Sequence, residues 1–233
     1  MTRRALFLAA ATAALLMLCG DGSAKGLHFL TDAQVDPSLL LPPPPAPDSD
    51  TQKAELAELD RIQAARSDAD LARATVDNDN ETPTLYATVL GPSFDLAKLP
   101  ATARLLGDVI SEEKAAGELA KEHFHRSRPY VFDTALKTCE AHDANPQNSY
   151  PSGHATLAFS TGVVLAALIP SKAQVILARS ADYAHERLVC GVHYRSDIVA
   201  GQVLGTSVAV QLLANKDFRA EFDAAAAELR PLQ

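Results

Sequence analysis

Three short segments of this chain combine cationic, imidazole and carboxylate side chains at regular spacing. They read Lys121-x6-Arg128-Pro129, Pro151-Ser152-Gly153-His154 and Arg187-x5-His193-x3-Asp197. Cations can hold a phosphate, one histidine can attack phosphorus, a second can transfer a proton, and a carboxylate can orient the attacking ring. Together these side chains are what the transfer of a phosphoryl group without a metal requires.

The first segment offers two cations to one anion. Lys121 and Arg128 are seven residues apart, so on one continuous helix they would share nearly the same face, two turns apart. The planar guanidinium suits two phosphate oxygens, and Pro129 is expected to end that helix just beyond it. By itself, such a pair is more often a solvated helix face.

The second segment predicts the start of a helix. Ser152 stands directly before an apolar run, where its side chain can cap backbone N–H groups of the kind that also bind anions. Gly153 would let the backbone approach a phosphate closely, and His154 is placed to give a proton to a leaving group. An ordinary capped helix with a surface histidine is the alternative.

The third segment places a carboxylate one helical turn after a histidine. Asp197 can accept a hydrogen bond from one ring nitrogen of His193 while the other nitrogen faces a substrate. Such a contact fixes the tautomer and raises the nucleophilicity of the ring. Arg187 can add a second guanidinium to the same anion, the alternative being a surface salt bridge to Glu186 or Asp182.

Residues 1–24 have the layout of a secretory signal peptide. Two arginines precede an apolar stretch at 5–18, and small residues lead to a cleavage site after Ala24, whereas lipid attachment at Cys19 is less favoured. The protein is therefore expected to be periplasmic or secreted. Removing this leader changes the formal net charge from −8 to −9, which argues against a nucleic-acid partner.

The remaining chain predicts a proline-rich arm over 25–50, expected to wrap the surface, and one all-α helical bundle over 51–233. Apolar spacing predicts helices over 49–78, 99–124, 155–169, 197–214 and 217–229. The apolar runs are too short and too interrupted for a membrane span after signal removal. Two cysteines follow the leader, Cys139 and Cys190. In an exported chain such a pair more often forms a disulfide than a metal site, and two buried free thiols are the alternative.

The motifs resemble those of the type 2 phosphatidic acid phosphatase superfamily, which includes the vanadium haloperoxidases. They are most similar to the bacterial class A non-specific acid phosphatases. The closer likeness lies in the proline arm at 39–45, the block at 148–154 and the block at 189–197. One position departs from the pattern of the superfamily, since Glu186 stands where the third motif usually has serine. The carboxylate of Glu186 is expected to compete with phosphate for Arg187.

This resemblance implies a role for each motif residue. His193 would be the nucleophile that forms a phosphohistidine, Asp197 would orient it, and His154 would protonate the leaving alcohol. The phosphate oxygens would be held by Lys121, Arg128, Ser152, Gly153 and Arg187. The implied substrates are small phosphate monoesters, with vanadate as an inhibitor and no cofactor.

Two other functions compete with the phosphatase. A vanadate-dependent haloperoxidase would use the same ligands, because vanadate mimics the phosphoryl transition state. A periplasmic phosphate-binding protein would keep the cations but leave His193 unexplained. No metal site is predicted, since His123 and His125 offer only two ligands, and a homo-oligomer is left open.

Overall fold

The computed structural model describes residues 26–232, and every regular element in that range is helical. The α-helices are α1 (Pro37–Leu40), α2 (Asp50–Ala65), α3 (Asp68–Asn78), α4 (Ala87–Leu90), α5 (Pro100–Phe124), α6 (Pro129–Phe132), α7 (Gly153–Leu168), α8 (Ala173–Val189), α9 (Arg195–Ala214) and α10 (Lys216–Glu228). The predicted all-α fold is confirmed, whereas the predicted signal peptide lies outside the described residues. Helix α8 was not predicted, because its apolar residues are mixed with charged ones.

Helix α7 is apolar on every side and forms the centre of the core. Helices α5, α8 and α9 pack around it. The contact with α9 is close because that helix carries glycine where the backbones meet. A Cβ on Gly201 would lie 2.6 Å from the carbonyl oxygen of Ser152, and a Cβ on Gly205 would overlap the carbonyl oxygen of Thr156. The starts of α7 and α9 are thereby brought side by side.

Helix α5 buries the apolar stripe that its sequence predicts. Leu105, Leu106 and Val109 are fully buried, and Pro100 stands at the first helical position. No side chain of the preceding loop caps this helix. The carboxylate of Glu228 in α10 does so instead, accepting the N–H groups of residues 101 and 102 at 2.9 Å. The last turn of α5 points at the start of α7.

The helix predicted over 49–78 is two helices, so that prediction was wrong. Helix α2 ends at Ala65, and Arg66 is extended at φ −65° and ψ 135°. Ser67 then opens α3 with a capping box, in which its hydroxyl accepts the N–H of Asp70 and the Asp70 carboxylate accepts the N–H of Ser67. This local cap outweighs the helical periodicity that runs through both segments.

The proline-rich arm wraps the bundle as expected, yet it also contributes to the core. Leu30, Val35 and Leu41 are buried among the side chains of the main core. The carboxylate of Glu112 in α5 accepts the backbone N–H groups of residues 28–30, at 2.5, 2.7 and 3.3 Å. The arm is therefore fixed by both apolar burial and hydrogen bonds.

Among residues 26–232, α9 is the helix that is long and apolar enough to cross a membrane by length and composition. A core helix passes the same test, and 50% of the apolar stretch of α9 is buried against its neighbours. Val199, Val203 and Val210 on the same helix are exposed. The expected absence of a membrane span stays a prediction.

Candidate active site

The ends of four helices meet around a cavity of about 230 Å³. Lys121 lies in the last turn of α5, His154 in the first turn of α7 and Arg187 in the last turn of α8, while His193 lies in the loop before α9. Six of the predicted site residues line the cavity: Lys121, Arg128, Gly153, His154, Arg187 and His193. The three segments named from sequence are therefore brought together in space.

His193 is buried between a carboxylate and a guanidinium. Its Nδ1 lies 3.2 Å from Oδ2 of Asp197, and its Nε2 lies 2.8 Å from Nη1 of Arg128. Since arginine can only donate, Nε2 must carry the lone pair and Nδ1 the hydrogen. The ring thus presents its nucleophilic nitrogen to the cavity, and the contact with Arg128 must open before Nε2 can attack.

The charge state of His193 follows from its surroundings. Burial lowers the pKa of His193 well below its usual range, and the nearby cations Arg128, Arg187 and Lys121 lower it further. A lowered pKa means that the ring gives up its proton more readily, so it keeps its neutral form to lower pH than a free imidazole does. The nucleophile therefore remains available in acid.

Asp197 is buried and accepts hydrogen bonds from every side. Nη1 of Arg126 and Oγ of Ser149 each donate at 2.6 Å, and the N–H of Tyr194 donates at 2.9 Å. Burial raises the pKa of Asp197 to about 6, while Arg126 and then Ser149 oppose that rise. The carboxylate is thus held rigidly under the His193 ring.

Arg126 and Glu55 support this pair, and sequence reasoning missed their role. Nη2 of Arg126 donates to Oε2 of Glu55 at 2.9 Å, and the guanidinium stacks 3.9 Å from the ring centroid of Tyr194. Glu55, from α2, also accepts the N–H of Ser196 at 2.6 Å. A basic residue two places before Arg128 was visible in the sequence, but nothing marked Glu55.

Lys121 and Arg128 do not share a helix, so that prediction was wrong. Helix α5 ends at Phe124, His125 is left-handed at φ 48°, and Arg128 is extended at φ −64° and ψ 155°. Left-handed His125 ends α5, and Pro129 disfavours helical geometry in Arg128, the residue before it. The two cations converge on one cavity all the same, because the turn folds Arg128 back towards the end of α5.

Lys121 is the cation least engaged by protein groups. Within the part of the chain that the structure describes, its Nζ makes no hydrogen bond or ion pair. Burial lowers the pKa of Lys121, and Arg128 lowers it further. A desolvated ammonium without a protein partner favours an incoming anion.

Arg187 is almost fully buried and is not in a surface salt bridge to Glu186 or Asp182. Its Nη1 donates to Oδ1 of Asn78, and its Nη2 donates to Oε1 of Glu140 at 3.1 Å. Glu186 instead accepts a bond from Nε of Arg73 at 2.6 Å. The expected competition of Glu186 for Arg187 was therefore wrong, since the competing carboxylate is Glu140.

A loop between α6 and α7 carries two carboxylates into the cavity. Glu140 bonds Arg187, and Oδ2 of Asp143 accepts from Nη2 of Arg128 at 3.0 Å. A disulfide joins Cys139 of this loop to Cys190, which lies three residues before His193, so the predicted bridge is confirmed. Both arginines thus have carboxylate partners that a phosphate would have to displace.

His154 lines the same cavity as His193. Its Nε2 lies 3.1 Å from the carbonyl oxygen of Asn78, which can only accept, so Nε2 carries a hydrogen. Nδ1 lies 3.4 Å from Oε1 of Glu81. Burial, and next the charge of Arg187, lower the pKa of His154 to about 3. The ring is neutral in the ligand-free protein.

Ser152 and Gly153 differ in where they lie. Ser152 is fully buried and does not line the cavity. Its Oγ accepts the N–H of Ala155 at 3.4 Å, and its own N–H donates to the carbonyl of Asp197 at 3.0 Å. Gly153 lines the cavity, and a Cβ there would lie 3.5 Å from Nζ of Lys121. Ser152 thus joins α7 to α9, and its contact with phosphate stays a prediction.

Residues 26–232 contain no group of three His, Cys, Asp or Glu side chains that could hold a metal ion. His123 and His125 are exposed at the end of α5. Metal independence stays a prediction.

Comparison with known proteins gives a consistent result. A model of the PAP2 superfamily matches residues 103–219. The chain is 35% identical to an acid phosphatase of Zymomonas mobilis over 206 residues, which cover 83% of this chain and 75% of that protein. It is 30% identical to a non-specific acid phosphatase of Providencia stuartii over 224 residues, which cover 89% and 86%.

Among solved structures, the fold is similar to that of a bacterial vanadium-dependent iodoperoxidase. The TM-score is 0.60 at 18% sequence identity, and the match covers 79% of this chain and 53% of the other. At this identity the likeness concerns the fold alone.

Proposed function

Since this chain belongs to the PAP2 superfamily, we propose that it is an exported acid phosphatase that hydrolyses small phosphate monoesters through a phosphohistidine, without a metal. The observation that carries the proposal is the buried, neutral His193, whose tautomer Asp197 fixes and whose Nε2 faces a cavity lined by three cations. A protein that only bound phosphate would have no use for this arrangement.

The first half of the reaction transfers the phosphoryl group to the enzyme. The phosphate enters among Lys121, Arg128 and Arg187, which neutralise the charge on its non-bridging oxygens. Nε2 of His193 attacks phosphorus as the bond to the alcohol oxygen breaks, and His154 passes to that oxygen a proton that it takes from the monoanionic phosphate of the bound substrate. Asp197 stabilises the positive charge that the His193 ring acquires.

The second half regenerates the enzyme. His154, now neutral, takes a proton from a water molecule whose oxygen attacks phosphorus, and the bond from phosphorus to Nε2 of His193 breaks. Inorganic phosphate leaves with the proton that His154 took up, and Glu140 and Asp143 can again pair with Arg187 and Arg128. An alcohol in place of water would give phosphotransfer as a side activity.

Hydrolysis of p-nitrophenyl phosphate by the mature protein tests the proposal. We expect turnover that excess EDTA leaves unchanged and that vanadate inhibits, because vanadate's trigonal bipyramid fits the same cations. Loss of activity in EDTA would contradict metal independence. Phosphate binding without turnover would indicate a binding protein, and halide oxidation with vanadate and peroxide would indicate a haloperoxidase.

Replacing His154 by asparagine is expected to affect esters according to their leaving groups. Alkyl phosphates should lose about 10²- to 10⁴-fold in kcat, because an alkoxide needs a proton to depart. p-Nitrophenyl phosphate should lose far less, since its phenolate leaves readily without a proton. Equal losses of kcat for both esters would exclude His154 as the general acid.

We expect kcat/KM to depend on a proton carried by the phosphate group of the substrate. Because the pKa of His154 is about 3, its ring carries no positive charge at pH 5 in the free enzyme, and the pKa of His193 is lowered well below its usual range by burial. A phosphate monoester holds its second proton below about pH 6. We therefore expect kcat/KM to fall about tenfold per pH unit above pH 6.

Substrates with different second pKa values separate this explanation from an enzyme group. The fall in kcat/KM should move with the pKa of the phosphate across a series of substituted phenyl phosphates. A fall at the same pH for every ester would instead assign it to a residue of the enzyme.

A further inference from the structure

A second cavity, of about 250 Å³, adjoins the first between α5 and the start of α7. Four residues line both cavities: Glu81, Lys121, Gly153 and His154. If each water occupies about 30 Å³, the second cavity corresponds to roughly eight waters, which is enough for a small polyol or one sugar ring. It is therefore an extension of the phosphate site.

The position of His154 decides which part of a substrate this cavity would hold. In the proposed reaction His154 protonates the leaving oxygen, and the phosphate lies between His154 and His193. The alcohol must extend away from His193, past His154. The second cavity lies there, so its lining would contact the leaving group.

Glu113, in α5, lines the second cavity and is unexplained by the mechanism. Its exposed fraction is 2%, and among residues 26–232 its carboxyl makes no hydrogen bond or ion pair. Burial raises the pKa of Glu113 well above its usual range, although Lys114 and Lys121 oppose the rise. A buried carboxyl without a hydrogen-bond partner costs stability, so its presence calls for an explanation, and a bound ligand is one.

We propose that the second cavity binds the leaving alcohol and that Glu113 forms a hydrogen bond with a hydroxyl group on it. The favoured substrates would then be phosphates of sugars and polyols rather than esters of apolar alcohols. This inference rests on the proposed phosphatase activity.

The lining offers hydroxyl groups both donors and acceptors. The carboxyl of Glu113 can accept a hydrogen bond from a hydroxyl and, when protonated, can also donate one. Lys114 and Lys121 on the same wall can donate hydrogen bonds to hydroxyl oxygens. Glu118 and Glu81, which also line the cavity, add acceptors for further hydroxyls.

Matched pairs of substrates test the proposal. For the native enzyme, kcat/KM should be higher for glucose 6-phosphate than for cyclohexylmethyl phosphate, and higher for glycerol 1-phosphate than for propyl phosphate. Glu113→Leu keeps the approximate volume of the side chain. In this variant the ratio of kcat/KM within each pair should fall by roughly three- to tenfold, the factor that one net hydrogen bond contributes. Glu113→Gln should retain part of the preference.

Two controls make the result specific. Inhibition by inorganic phosphate, which has no alcohol part, should be unchanged in Glu113→Leu, and Glu122→Gln, at an exposed glutamate of the same helix that lines neither cavity, should leave the ratios within about twofold. Unchanged ratios in Glu113→Leu, or equal losses for all esters, would each overturn the proposal. If the native enzyme fails to hydrolyse p-nitrophenyl phosphate, the phosphatase proposal itself fails.

Discussion

Replacing His193 by alanine is expected to lower kcat/KM for p-nitrophenyl phosphate by at least about 10⁴-fold, because a variant without its nucleophile cannot form the covalent intermediate. The fold should persist. Asp197 keeps its bonds from Arg126, Ser149 and Tyr194, so no carboxylate is left without a partner. Steady-state kinetics with a circular dichroism spectrum of each protein would measure both effects.

Two further observations make this prediction specific. His123→Ala, at an exposed histidine near the end of α5, should keep full activity. Rapid quenching of the native enzyme with radiolabelled substrate should trap an acid-labile phosphoenzyme, and His193→Ala should trap none. Activity above a trace in His193→Ala would exclude that residue as the nucleophile.

Replacing Arg126 by alanine should produce the largest loss of stability among the site variants. The carboxylates of Glu55 and Asp197 share this guanidinium, and the side chains of Arg126, Glu55 and Asp197 are 4%, 9% and 0% exposed. Leaving buried charges without a partner costs about 3–5 kcal/mol. For a domain of this size, the Tm should fall by about 6–20 °C, measured by calorimetry.

A second arginine provides a matched control for Arg126→Ala. Arg195 also pairs with a glutamate of α2, Glu58, at 2.6 Å, but their side chains are 41% and 28% exposed. An exposed pair contributes at most about 1 kcal/mol, so Arg195→Ala should change the Tm little. Equal losses in the two variants would show that burial of the Arg126 cluster is not what stabilises the fold.

The sequence was informative about chemistry because reactive residues keep short spacings. His193 and Asp197 are one turn apart, and the chain places them in contact without help from distant segments. The start of α7 could likewise be read from Ser152 and the apolar run after it. The Lys121–Arg128 geometry was wrong because the helical repeat was given more weight than the effect of Pro129 on Arg128.

Other parts of the site depend on contacts between distant segments and had no local signal. Glu55 meets Arg126 across 71 positions, and Asn78 meets Arg187 across 109. Helix α8 was missed because one side packs on the core while the other is charged and exposed. Such contacts follow from packing of the bundle, which no short spacing encodes.

The disulfide between Cys139 and Cys190 closes a covalent ring in the chain, with a sequence separation of 51. His154 and Arg187 lie inside the ring, while Arg128 and His193 lie just outside its two ends. The stretches that carry the nucleophile and its neighbouring guanidinium thus stay tethered even when the chain unfolds. In the loop-closure model, this tether raises the free energy of unfolding by about 4 kcal/mol, because it lowers the entropy of the unfolded chain. The alignment of these stretches therefore depends on the redox state of the surroundings in which the chain folds.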